Sequence, residues 1–134
     1  MLLTIDDKLE KDHFVRRLLS LVEKVLGKSL RSQANLRGGF SYDPVNMLAV
    51  WLYAFMQGER SSRRIEELCR YDVRYEYLCG SCRPDYSTLS RYRSSLGEKL
   101  ETLMALVCAK AESDGLLKRR AMAVDGIKIA ARGS

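Results

Sequence analysis

The residues of this chain best suited to chemistry are hydroxyls and guanidinium groups set close together. In Pro84-Asp85-Tyr86-Ser87-Thr88-Leu89-Ser90-Arg91-Tyr92-Arg93, the side chains of Ser87, Thr88, Ser90, Arg91 and Arg93 share one short polar stretch. Two short helical segments and a Gly-containing turn precede it, which is the order of a helix-turn-helix whose second helix enters the major groove of DNA. Hydroxyls and free backbone amides of its first turn would meet phosphate there, and arginines would reach phosphates or guanine edges. A capped surface helix with solvated arginines accounts for the same residues equally well. Arg60-Ser61-Ser62-Arg63-Arg64 is a second basic cluster, placed at a helix start. Cations there oppose the helix dipole unless an anion sits nearby, which suits phosphate. The plainer alternative is a short basic surface turn.

Other constellations are weaker. Cys79-x-x-Cys82 has half the spacing of a zinc site, but His13 is remote, and Cys69 and Cys108 fall at core-facing helical positions. Structural thiols are therefore expected ahead of zinc. Gly27-Lys28-Ser29 imitates the end of a phosphate-binding loop, yet the glycine required five residues earlier is Val22. With one histidine, no Ser-His-Asp or Cys-His arrangement is available. Asp125 follows a short apolar run and has the chemistry of a divalent-metal ligand. Asp125-Gly126 between two apolar runs is also a common hairpin turn, and the residues alone favour that.

Composition bounds the reading. Lys and Arg number 23 against 17 Asp and Glu, a formal net charge of +6; that excess suits a polyanionic partner, and equally the modest positive charge that many soluble domains carry by chance. A hydrophobic share of 46% with 2 Pro excludes a disordered chain and favours a helix-rich globule. The most apolar run, Pro44 to Met56, is too short to cross a membrane, which takes about 20 residues. The start lacks the basic head and apolar core of a signal peptide. Cys69, Cys79, Cys82 and Cys108 are then expected as reduced thiols in a cytoplasm.

These groups must be positioned by helices. Phe14, Leu18, Leu21, Val22 and Val25 share one helical face, with Arg16, Arg17, Glu23 and Lys24 opposite and Gly27 as a stop. Lys28 to Ser41, including Arg31, Arg37 and Gly38-Gly39, is expected to be a loop. Asp43-Pro44 starts a helix that is apolar almost all round and should be central, ending at Gly58. Ser61 or Ser62 starts a shorter helix through Ile65, Leu68 and Cys69, and Val73 to Leu78 forms another. After a turn at Cys79 to Pro84, Asp85 or Ser87 starts a helix with Leu89, Tyr92 and Leu96 inward and Gly97 at its end. Leu100, Leu103, Met104, Val107 and Ala111 mark a last helix stopping at Gly115. Past Arg120, Ala121 to Val124 and Ile127 to Ala130 have strand character. The expectation is a mainly α chain: residues 1–120 as a compact helical bundle, then residues 121–134 as the opening of a sheet-containing domain.

Four stretches in order carry a resemblance: Tyr42-Asp43-Pro44-Val45-Asn46-Met47-Leu48, Gly58 to Glu66, Arg83 to Arg93, and Val124-Asp125-Gly126-Ile127-Lys128-Ile129. Together they resemble the transposases of bacterial insertion sequences with a DDE catalytic site, in particular their InsH-type N-terminal domain. The resemblance implies double-stranded DNA as partner, bound at the element's terminal inverted repeats, with a homodimer pairing two ends. It implies that residues 121–134 begin an RNase H-like domain. Asp125 would then be the first of three acidic ligands for two Mg²⁺ ions about 3.5–4 Å apart, which activate and stabilise the reacting oxygens. The second Asp and the Glu are absent before Ser134, so the chain alone is expected to hold no cofactor and to cut or join no DNA. Ile127 stands where the family has Thr. A helical DNA-binding regulator or inhibitor of an intact transposase is the non-enzymatic alternative. The implied location is the cytoplasm, at the nucleoid, with no membrane and no small-molecule substrate.

Overall fold

A computed structural model describes residues 8–36 and 42–117. Among them are six helices and no strand: α1 (Phe14–Leu36), α2 (Pro44–Met56), α3 (Ser62–Tyr71), α4 (Val73–Leu78), α5 (Tyr86–Leu96) and α6 (Lys99–Ser113). The chain is mainly helical, as its periodicity predicts. The expected strands and Asp125 lie outside the described residues.

α2 is the element around which the others pack. Asp43 caps it, its Oδ1 accepting from the Val45 amide at 2.9 Å, and Pro44 supplies a first helical residue whose missing N–H costs nothing. Eleven of its 13 residues, Pro44, Val45 and Met47 to Phe55, are buried. Such a helix needs neighbours on every side, and α1, α4 and α5 supply them. Gly58, at φ +80°, turns the chain out of it.

α1 departs from the sequence reading. Gly27 does not stop it, and residues 28–36 are helix rather than loop. Val22, Leu26 and Leu30 are all buried, so the apolar face continues one turn at a time past the glycine. A Cβ at Gly27 would fall on the Glu23 carboxylate, which crosses that position to meet Arg31 at 2.6 Å. Arg31 also reaches the Asp43 carboxylate at 3.0 Å, joining the C-terminal half of α1 to the cap of α2. At the other end, His13 Nδ1 accepts from the Val15 amide at 3.1 Å.

α3 packs on α4 and α5, while α6 packs on α1 and α5. The junction of α3 and α4 is tight because Asp72 ends one helix and caps the next, accepting from the Arg74 amide at 2.9 Å. The Arg74 guanidinium folds back on the Asp72 carboxylate at 2.7 Å and donates to the Tyr53 hydroxyl at 3.0 Å. The Arg74 hydrogen bond holds the Asp72 carboxyl below its ordinary range, against a partial burial that works the other way.

Candidate nucleic-acid interface

α5 carries most of the residues singled out for DNA, and the core fixes its position. Leu89, Tyr92 and Leu96 are buried, as their spacing requires. Two buried hydrogen bonds then tie α5 to α2. The Trp51 indole donates to the Leu89 carbonyl at 3.1 Å, and the Tyr92 hydroxyl donates to the Pro44 carbonyl at 2.9 Å. Burial raises the Tyr92 pKa, so the hydroxyl keeps its proton for that bond. Ser90 and Arg91 remain on the exposed side.

α3 lies against α5. Arg63 near the start of α3 stacks on the Tyr86 ring, 4.0 Å from its centroid, and Glu66 Oε1 accepts from the Tyr86 amide at 2.9 Å. Arg93, two turns further along α5, lies back towards Arg60. The structure thus brings Arg63 of the first basic stretch onto Tyr86 of the second, and Arg60 is near enough to Arg93 for its charge to be felt there. Arg64 turns to Glu67 at 3.2 Å.

Some of the helix-start amides foreseen for phosphate have partners within the chain. The Tyr86 and Thr88 amides of α5 are already taken by Glu66 and Asp85, the latter at 2.9 Å. At the start of α3, Glu59 Oε1 accepts from the Arg60 and Ser61 amides, both at 3.0 Å, and Ser61 Oγ accepts from Arg64 at 3.2 Å. A carboxylate of the chain itself thus sits beside the basic cluster, held by the two amides just before α3. Bonding to Thr88 keeps the Asp85 carboxyl below its usual range, so it stays ionised in that position.

The arginines also divide. Arg93 is half-buried across Phe55 and Trp51, at 4.9 and 5.2 Å from their ring centroids, and burial followed by the charge of Arg60 lowers its pKa. Its stem belongs to the packing of α5 on α2. Arg91 is exposed, and its contacts to the Ser87 carbonyl and Thr88 hydroxyl are long, both 3.4 Å. Thr88 and Ser87 are half-buried, Ser87 at 3.4 Å from Asp85. Arg60, Arg63, Arg64, Ser90 and Arg91 are the expected DNA-facing residues that the fold presents outward.

Sequence reasoning assigned no role to Glu66, Trp51 or Tyr86, the residues that aim α5. Their partners lie 20 to 38 positions away, so no local spacing signals them. Tyr71, 81% exposed at the end of α3, is a further aromatic on the outer surface.

The cysteines divide likewise. Cys69 and Cys79 are buried, the Cys79 thiol donates to the Glu76 carbonyl at 3.4 Å, and Cys82 is exposed. The hydrogen bond with Cys79, followed by burial, pushes the Cys69 thiol well above its ordinary range. Among the described residues, no group of three or more His, Cys, Asp or Glu could hold a metal ion, and no helix is long and apolar enough to cross a membrane.

A family model described as Transposase domain (DUF772) matches residues 3–95, more than half of the chain. The match takes in α1 to α4 and ends one residue short of the end of α5, leaving α6 outside it. No curated protein and no solved structure matches the chain.

Proposed function

Because the chain belongs to the transposase-domain family, we propose that it acts in DNA transposition by binding double-stranded DNA at the terminal inverted repeats of an insertion sequence. α5 is the recognition helix of a helix-turn-helix-like unit formed with α3 and α4. The observation that carries this reading is the anchoring of α5. Two buried hydrogen bonds to α2 and one to Glu66 fix a short helix whose outer side is Ser90 and Arg91. A recognition element gains specificity when its side chains are held before binding, since less ordering is then lost on contact.

In this arrangement Arg91 reaches a phosphate or a guanine edge, and Ser90 donates to phosphate or a base. Arg63, stacked on Tyr86, and Arg60 contact the backbone of the flanking groove and set the register of the complex. Arg93 acts chiefly by holding α5 on α2. The starts of α3 and α5 are occupied in part by Glu59, Ser61, Glu66 and Asp85, so the outward side chains carry more of the phosphate contact than the helix-start amides do. The catalytic part of the proposal is that Asp125 is the first acidic ligand of a DDE site in an RNase H-like domain. Mg²⁺ bound by the complete carboxylate set would supply Lewis-acid stabilisation of the reacting oxygens. The DNA-binding function of the helices stands without that site.

The test is a titration of the chain against inverted-repeat and scrambled duplexes at two salt concentrations. A preference for the repeat that falls on Ser90→Ala and Arg91→Ala, with helicity unchanged, is the expected outcome. Equal binding of both duplexes by the wild type would remove the recognition role of α5.

A further inference from the structure

A groove of about 340 Å³ runs between α1 and the end of α6, lined among others by Arg16, Arg17, Ser20, Lys24 and Asp114. Arg16 is one of its walls, held by the carbonyls of Glu10 and Leu9, both at 2.8 Å, and stacked on Tyr77 at 5.1 Å. Arg17 and Lys24 stand exposed along it, seven residues or about two turns apart. Lys28, also exposed, continues the line one turn further. From Arg17 to Lys28 the stripe is about 17 Å long at about 1.5 Å per residue, roughly half a turn of duplex.

The nearby carboxylates are engaged with other cations. Glu23, the one acidic residue in the sequence of α1, is bonded to Arg31 at 2.6 Å. Arg31 in turn takes Asp43, and Asp114 is paired with Lys110 at 3.2 Å. Over residues 14–33 of α1, the other exposed residues near the stripe are serines, and no large apolar side chain is exposed. A membrane surface or a partner helix would call for an apolar stripe beside the charge. The apolar side chains in the groove beside it, Leu21 and Leu116, are buried and half-buried, so what the stripe itself offers outward is a line of cations with hydroxyls, which matches a regular chain of phosphates.

This face is separate from α5. α1 packs on α2, α4 and α6, whereas α5 packs on α2, α3 and α6, so the core helices stand between the two. We infer that Arg17, Lys24 and Lys28 on the outer face of α1 form a second contact for duplex DNA. It grips the phosphodiester backbone without reading sequence. The choice of DNA as the polyanion rests on the transposase reading above, but the surface does not depend on α5 recognising anything.

The experiment compares the full chain with the Arg17→Gln/Lys24→Gln/Lys28→Gln variant on inverted-repeat and scrambled duplexes over a salt series, with circular dichroism to check the fold. Loss of three phosphate contacts lowers the slope of log affinity against log salt by about 3. The expected result is that decrease on both duplexes alike, with the ratio of their affinities kept. An unchanged slope overturns the inference. So does a loss confined to the repeat, which would make the face a sequence reader. If the wild type binds both duplexes equally and the variant still loses slope, the recognition role of α5 fails and the α1 surface stands. If the wild type binds neither duplex, both fall.

Discussion

α2 and α5 touch each other and are nearly equal in length, 13 and 11 residues, yet the sequence uses them in opposite ways. α2 buries almost every side chain and contributes stability. α5 buries three and leaves the others at or near the surface, including the serines and arginines proposed to meet DNA. The difference shows how a short, polar helix acquires a fixed position. α5 has little apolar surface of its own, so its placement depends on the indole of α2, on a tyrosine reaching back to the first residue of α2, and on a glutamate of α3.

Removing the central support should have the largest effect. Trp51→Ala deletes a fully buried ring and the donor to Leu89, and should cost about 3–5 kcal/mol in urea denaturation. A loss under about 1 kcal/mol would mean that α2 does not support α5 in this way. Tyr92→Phe keeps the ring and removes a buried hydrogen bond to the Pro44 carbonyl, which α2's own i+4 amide still reaches. About 0.5–1.5 kcal/mol should be lost with unchanged helicity. An unaffected midpoint would show that this bond does not help to seat α5.

The acid limb of the stability curve sharpens the comparison from the scaffold side. Asp72 has a folded pKa below its unfolded one, so its contribution is complete above the unfolded value of about 3.9 and is lost as pH falls through the folded value. Asp72→Asn should therefore lower stability at neutral pH and flatten its decline below about pH 4. A decline as steep as the wild type's would place the acid sensitivity elsewhere. The smallest effect belongs to the outer side of α5. Ser90→Ala should leave stability within roughly 0.5 kcal/mol while reducing the preference for repeat DNA. A large destabilisation would show that this side of α5 also holds the fold.

Much of this scaffold was legible in the sequence because helix boundaries are local events. Asp43-Pro44, Ser61 and Asp85 are the caps that their side chains promise, and Leu89, Tyr92 and Leu96 face inward as their spacing requires. Gly27 misled for a local reason too. Glycine commonly ends helices, but here it clears a path for Glu23 to Arg31, a use visible only with both partners in place. The candidate site was legible as a set of residue types and not as an arrangement. Nothing near Tyr86 in sequence reveals that Glu66 takes its amide, and nothing near Arg93 reveals Trp51 and Phe55 beneath it. Those contacts separate Arg93, which helps to build the helix pair, from the arginines that face outward.

The single tryptophan gives the molecule an optical reporter. Its ring is buried, its N–H is committed to the α5 backbone, and a guanidinium of α5 lies over its face. Any event that lifts α5 from α2 changes the polarity, hydrogen bonding and local charge around one chromophore. Emission from Trp51 can therefore follow the seating of that helix during folding, in acid or on mixing with a duplex, without an added label.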